Sequence, residues 1–225
     1  MQTVFSWEGW VKKGIIYTCL VFVGACLCYA GALKNAKIMP INTAFSFVVQ
    51  QCDNVEVGGF ETLQMGGAGN IITLDKETYV AVGVYSSKLS AEKVAKSLGD
   101  KYFVQTLTPN DLYFCTPSKK KKASVYVGAF QSLDGCMQVL AQEIERLEKG
   151  ATQTSSKFVV QNLKNQFLYL GEEYKYNFPT FGAVCLQSAD TLTALGRDII
   201  YSQKLRRLLC DLSVAYCQLC AEFLP

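Results

Sequence analysis

The 225-residue sequence contains no histidine. Imidazole is the commonest general base in enzymes, a member of the Ser-His-Asp triad and a frequent zinc ligand, so its absence excludes these three kinds of site. No pair of Asp or Glu residues stands in a context that is typical of glycoside hydrolysis. We therefore predict that the protein is not an enzyme and that it has no catalytic residue, no metal site and no cofactor.

Charged residues are also scarce. Lys, Arg, Asp and Glu make up 18% of the chain, and the formal net charge is only +3. Nucleic-acid-binding domains usually carry a strong basic stripe, so we expect no nucleic acid among the partners. Apolar residues account for half of the sequence, which is enough for a sizeable core.

The cysteine pattern does not indicate a disulfide framework. Three of the ten cysteines lie in one apolar N-terminal segment, and the remaining seven are an odd number. Cys217 and Cys220 have the spacing of a redox or zinc pair, with Cys210 two helical turns earlier. A redox pair belongs at the start of a helix, whereas this pair lies near the end of a predicted one. We therefore expect buried thiols that act as small hydrophobes.

The N-terminal segment predicts a membrane anchor. Residues 14–33 are 20 residues without a charge, and as a helix they would span about 30 Å of hydrocarbon. We predict a cytoplasmic head (residues 1–13), a transmembrane helix (residues 14–33), and a main domain outside the cytoplasmic (inner) membrane. A cleaved signal peptide ending near residues 30–32 and a lipoprotein site near Cys26 are the alternatives.

A strand followed by a helix is predicted at residues 79–98, and a similar pattern returns 45 positions later. VAVGVY at residues 80–85 aligns with VYVGAF at residues 125–130. Val, Tyr and Phe favour strands, and a glycine inside a strand indicates a bulge or a close backbone approach. With strands predicted at residues 102–107 and 112–115, the segment has four strands and two helices, which we interpret as a βαββαβ unit. The predicted fold class is α+β, with two helices on one face of a four-stranded sheet and the other face open.

This repeated pattern, V-x-V-G-x-[FY] followed by two small or polar residues and a helix, resembles the SPOR domain of bacterial cell-envelope proteins. The GGAG sequence at residues 66–69 is similar to membrane-anchored members from Gram-positive spore-formers. The resemblance covers about residues 71–150. It implies binding of peptidoglycan glycan strands, stripped of their peptides, on the open sheet face during cell division or sporulation.

The resemblance also implies where the glycan would bind. Many members carry Gln two residues before the first glycine and a small polar residue just after it, and these positions are Ala81 and Val84 here. Tyr113 and Tyr126 are the candidate aromatic platform. The alternative function is a scaffold component of an envelope complex that uses the fold for protein contact and binds no glycan. That alternative predicts an apolar sheet face covered by the linker or by the C-terminal helices.

Three further segments complete the predicted organisation. Residues 34–76 form a linker whose glycines at 66–69 predict a tight turn or hinge, since no Walker lysine follows them. The run Lys119, Lys120, Lys121 and Lys122 is either a solvated loop or a contact for an anionic polymer or lipid headgroups. After the SPOR-like domain (residues 77–150), residues 151–225 predict a helical hairpin that packs on the sheet, on a second copy or on a protein partner.

Overall fold

The structure, a computed structural model, describes residues 37–74, 76–197 and 199–224. Within these ranges the chain is α+β, with seven helices and two small sheets. In chain order the elements are β1 (Lys37–Met39), β2 (Phe45–Gln50), α1 (Val55–Gln64), β3 (Asn70–Leu74), β4 (Glu77–Tyr85), α2 (Lys88–Leu98), β5 (Tyr102–Leu107), β6 (Leu112–Phe114), α3 (Pro117–Lys121), α4 (Ala123–Glu148), α5 (Gln153–Tyr174), α6 (Pro179–Arg197) and α7 (Ser202–Ala221).

The larger sheet is antiparallel, with the strand order β3-β4-β2-β5. Helix α1 connects β2 to β3, and α2 connects β4 to β5, so the order along the chain is βαββαβ, as in ferredoxin-like folds. We call residues 45–107 the sheet module. β1 and β6 form a separate two-stranded sheet. The βαββαβ unit thus begins at β2, whereas the prediction began it at residue 77.

The predicted second strand–helix unit is wrong. Residues 125–130 lie inside α4, a continuous 26-residue helix. The buried side chains Phe130, Leu133, Met137 and Leu140 follow one another in steps of three or four. This helical period continues through the segment, so burial against the other helices overrides the β propensity of its Val and Tyr residues.

The C-terminal region contains three helices, so the predicted two-helix hairpin is also wrong. In place of the second helix of the hairpin, the chain forms α6 and α7. Ile200, in the connection between them, is 1% exposed. The side-chain amide of Gln153 donates to the Ile200 carbonyl at 2.9 Å and accepts from the Ile200 N–H at 2.8 Å. Both backbone groups of the connecting residue are therefore satisfied without a continuing helix.

The membrane prediction requires correction. The predicted transmembrane helix at residues 14–33 and the head at residues 1–13 lie outside the described residues. No helix in the described part of the chain is both long and apolar enough to cross a membrane. This finding contradicts the prediction of a protein that crosses the membrane once and the prediction of an inner-membrane location.

Two glycines allow α5 and α6 to pack closely. A Cβ atom on Gly182 would lie 2.9 Å from Lys175 Cα and 3.1 Å from the Gly171 carbonyl oxygen, so backbone would have to move. We expect Gly182→Ala to lower the free energy of unfolding by about 1–3 kcal/mol in urea titrations, because overpacking outweighs the gain in helix propensity. Gly196→Ala in the same helix is the matched control, since its Cβ meets nothing within 4 Å. Equal stability of the two variants would contradict this packing.

Candidate functional site

Ala81 and Val84, the two candidate glycan-binding positions on β4, lie on the same sheet face. They are three residues apart, which would normally place them on opposite faces. However, Val49 pairs with Ala81 and Phe47 pairs with Val84, and the register shifts between these pairs. Because Phe47 and Val49 share a face of β2, the irregularity in β4 brings the two candidates together. This register shift beside Gly83 agrees with a bulge, one of the two features that a glycine inside the strand indicates.

This face of the sheet is covered, and the predicted open face is wrong. Ala81 and Val49 are both 0% exposed. They belong to the same core as Leu212 of α7. The ring of Phe45 meets the ring of Tyr216, also on α7, edge-on with centroids 5.5 Å apart. The last helix of the chain therefore occupies the surface on which the glycan was expected.

Polar contacts fasten α7 to the sheet module. Asn70 Nδ2, on the edge strand β3, donates to Asp211 Oδ1 at 2.6 Å. Arg206 donates to the Gly66 carbonyl at 2.6 Å, at the glycine turn between α1 and β3. The same guanidinium forms an ion pair with Glu148 at the end of α4. Arg206 thus ties together the sheet module, α4 and α7.

The opposite face of the sheet is covered by α2, with α1 beside it. Val48, Val82 and Tyr102 form a second, smaller core with Ala91 and Ala95 of α2. All six residues of β2 are buried as a result. A strand that is buried on both faces is typical of a layer enclosed by other elements and not of an open binding sheet.

Gln50 is a residue that the sequence prediction overlooked. It is the last residue of β2, the first strand of the sheet module. Because residues 80–85 were predicted as the first strand, the SPOR resemblance implied the usual Gln at position 81, which is Ala81 on β4. Gln50 is 1% exposed, and its Nε2 donates to Thr62 Oγ1 at 3.0 Å and to the Gly58 carbonyl at 3.2 Å. Its amide therefore holds α1 against the sheet.

Tyr113 and Tyr126, the candidate aromatic platform, do not belong to the four-stranded sheet. Tyr113 lies in β6, and its N–H donates to the Phe223 carbonyl at 3.2 Å. Tyr126 lies on α4, stacked on Phe114 at 6.1 Å and edge-on to Phe223 at 5.0 Å. The structure therefore places both tyrosines beside an internal aromatic cluster, away from the strand that carries Ala81 and Val84.

The lysine run Lys119, Lys120, Lys121 and Lys122 forms most of the short helix α3 and its C-cap. Lys119 Nζ donates to the Glu222 carbonyl at 3.2 Å and lies 5.0 Å from the centre of the Phe223 ring. Lys122 Nζ donates to Asn177 Oδ1 at 3.0 Å. Two of the four ammonium groups thus secure neighbouring segments. Contact with an anionic polymer stays a prediction.

The cysteines of the described region are free thiols. Cys185, Cys210 and Cys220 are 0% exposed. No group of three or more His, Cys, Asp or Glu residues is placed to hold a metal ion anywhere in the three described ranges. Burial raises the pKa of the Cys136 thiol to about 11 and that of Cys185 to about 12, so both are protonated at neutral pH.

These pKa shifts predict a pattern of thiol reactivity. In native protein at pH 8 we expect iodoacetamide to modify half-buried Cys115 at least about a hundredfold faster than Cys185, because only the thiolate reacts. Peptide mass spectrometry measures both rates, and the reaction in urea is the control in which the rates converge. The Cys136 and Cys185 thiols bind their protons more tightly in the folded state than in the unfolded state. The free energy of unfolding should therefore fall as the pH rises above the ordinary pKa of a thiol. Equal labelling in native protein would contradict the burial.

A cleft of about 420 Å³ opens where the sheet module meets α4 and α7. Val84 and Tyr85 at the end of β4 line one side, and Ser87 at the start of α2 continues it. Burial raises the pKa of the Tyr85 phenol above its ordinary value, and the nearby Arg206 opposes this shift only in part. The phenol is therefore protonated at neutral pH. Val84 is thus the candidate site residue that reaches this concave surface.

Comparisons of the chain with protein-family models, with curated proteins and with solved structures find no match. The SPOR resemblance is therefore neither confirmed nor excluded.

Proposed function

We propose that the protein is a non-enzymatic scaffold component that has a SPOR-like sheet module, makes its protein contact through the C-terminal helices and does not bind glycan on the sheet. The observation that supports this most directly is the position of α7, which buries Ala81 completely. Sugar recognition needs accessible hydrogen-bonding groups that fix the ligand's orientation. The covered face instead presents Phe47, Val49 and Ala81 to other apolar side chains. The SPOR resemblance implies that the assembly belongs to the bacterial cell envelope.

The outer side of α5 is the surface that we assign to this contact. Phe158 is 69% exposed and Tyr169 is 66% exposed. Eleven residues separate them, and at about 100° per residue they lie within roughly 20° of each other around the helix. Exposed aromatic residues are enriched at protein interfaces. The surface is available for a protein partner or a second copy of the chain, which are two of the three alternatives predicted for residues 151–225.

A sacculus pull-down with the full chain tests the absence of glycan binding. Sacculi are used before and after an amidase has removed the stem peptides, with a SPOR domain that carries the usual Gln as positive control. We expect background binding in both samples because α7 occupies the face. Binding that rises after amidase treatment and falls in Tyr126→Ala would contradict the proposal and favour glycan recognition.

Sedimentation and cross-linking test the contact surface separately. We expect the full chain to self-associate, or to retain a partner after cross-linking, and the double variant Phe158→Ser, Tyr169→Ser to lose that association. Leu89→Ser is the matched control, because Leu89 is 61% exposed on α2, at a distance in sequence from α5. Association that is unchanged in the double variant would exclude this surface.

A further inference from the structure

The cleft between the sheet module and the helices has a polar wall on α4. Asp134, Gln138, Glu145 and Glu148 line it, together with Ala141. These positions are spaced by four, three, four and three residues, so they follow one face of the helix. The wall therefore carries three carboxylates, which are spread over about 20 Å of the helix.

The floor and the opposite wall of the cleft differ from this acidic side. Phe45, Val84, Met137 and Leu209 supply apolar surface. Across from α4, the β4–α2 connection supplies hydroxyl groups, with Ser87 Oγ already accepting the Ser90 N–H at 3.4 Å. A pocket of this volume with an apolar floor and a few polar groups is typical of a site for a small ligand.

The charge of the lining is not balanced. Arg206 is its one cation among three carboxylates, and it is engaged by Glu148 and by the Gly66 carbonyl. Glu145 pairs with Lys149 at 3.5 Å, and this pair is too exposed to contribute much. The net charge of the lining side chains is therefore −2, from three acidic groups and one basic group. An anionic ligand would meet repulsion here, and a cationic ligand would be favoured.

Asp134 is placed to receive a charged donor. Its Oδ2 accepts the Gln138 amide at 2.8 Å, which orients the carboxylate along the helix face. An ionised carboxylate has about four acceptor positions, so one amide leaves capacity for a further donor. An ammonium group would form a charge-assisted hydrogen bond of the stronger kind.

We propose that this cleft binds a small amphipathic amine. The apolar body of the ligand lies on Phe45, Val84 and Leu209, and its ammonium group faces Asp134. Glu145, about 16 Å further along the helix, adds only to the negative charge of the wall. This inference is independent of the scaffold proposal. The scaffold proposal depends on the position of α7 and on the exposed side of α5, and it holds whether or not the cleft binds an amine.

Three probes that share one aromatic body test the proposal: 2-phenylethylamine, 2-phenylethanol and phenylacetate. Isothermal titration of the full chain is expected to give an amine affinity about tenfold higher than that of the alcohol, because the alcohol can donate a hydrogen bond to the carboxylate but carries no opposite charge. Phenylacetate is expected to bind more weakly than either. Equal affinity for the three compounds, or no binding of the amine, would overturn the proposal.

Charge-neutral variants locate the binding. Asp134→Asn and Glu145→Gln keep the size of each side chain, so the fold is retained, and a thermal unfolding curve verifies this. Asp134→Asn is expected to weaken amine binding by about tenfold, and Glu145→Gln is expected to weaken it less, because Glu145 lies about 16 Å further along the helix. Both variants are expected to leave 2-phenylethanol binding unchanged. Glu92→Gln is the matched control, because Glu92 lies on α2 and pairs with Lys88 away from the lining. Amine binding that is unaffected by both variants would exclude this cleft.

Discussion

Replacement of Phe130 by alanine is expected to lower the free energy of unfolding by about 3–5 kcal/mol. Phe130 lies on α4, is 2% exposed, and contacts four other aromatic rings. These rings belong to Phe178, Phe181, Tyr216 and Phe223, so one side chain joins α4, α6, α7 and the C-terminal segment. Its removal leaves a cavity at their meeting point. Because a domain is stable by only about 5–15 kcal/mol, the loss is a large part of the total.

Denaturant unfolding followed by circular dichroism measures this effect. Phe158→Ala is the matched control, since the same substitution at a side chain that is 69% exposed should change stability by less than about 0.5 kcal/mol. A loss below 1 kcal/mol for Phe130→Ala would show that the aromatic cluster does not form the centre of the helical core.

The second large effect is expected for Ala81→Gln, which introduces the residue that SPOR domains usually carry. Ala81 is 0% exposed beneath α7, so a Gln side chain has no space and no solvent there. Overpacking and an unsatisfied amide together should lower the free energy of unfolding by about 2–4 kcal/mol. We expect no gain in binding to stripped sacculi.

Ile71→Gln on the neighbouring strand is the control, because Ile71 is 51% exposed. If Ala81→Gln were as stable as the parent protein and bound stripped sacculi, the sheet face would be accessible. That outcome would favour the glycan-binding function over the scaffold.

Elements whose structure depends on nearby residues were predictable. The strand ending at Tyr85, the strand Tyr102–Leu107 and the glycine turn before β3 are present, because turn conformation and alternation are encoded within a few positions. Gly66 and Gly69 have positive φ angles of 84° and 66°, as a tight turn requires.

Elements whose structure depends on distant residues were not predictable. Residues 125–130 have strand-forming side chains, but their burial continues the helical stripe of Leu133 and Met137. β1 pairs with β6 across more than 70 positions, and no local pattern specifies that pairing. Phe45–Gln50 lies in the segment predicted as a linker, and the prediction therefore began the module one strand–helix unit too late.

The candidate site was partly predictable. The SPOR resemblance implies polar groups at Ala81 and Val84, and the apolar residues found at these positions were the one indication of a covered face. The alternative hypothesis used that indication and expected the linker or the C-terminal helices as the cover. The apolar side of α7 fits many surfaces, however, so the sequence alone does not identify which helix lies on the sheet.

The position of α7 on the sheet is the central claim, and an NMR measurement of the Phe45–Tyr216 contact tests it most directly. The two ring centroids are 5.5 Å apart, close enough for a nuclear Overhauser effect between ring protons. In protein with selectively labelled Phe and Tyr, we predict a cross-peak that disappears in Phe45→Leu. Absence of that cross-peak in the parent protein, with a solvent-exposed Phe45 ring, would contradict the account and leave the sheet face open.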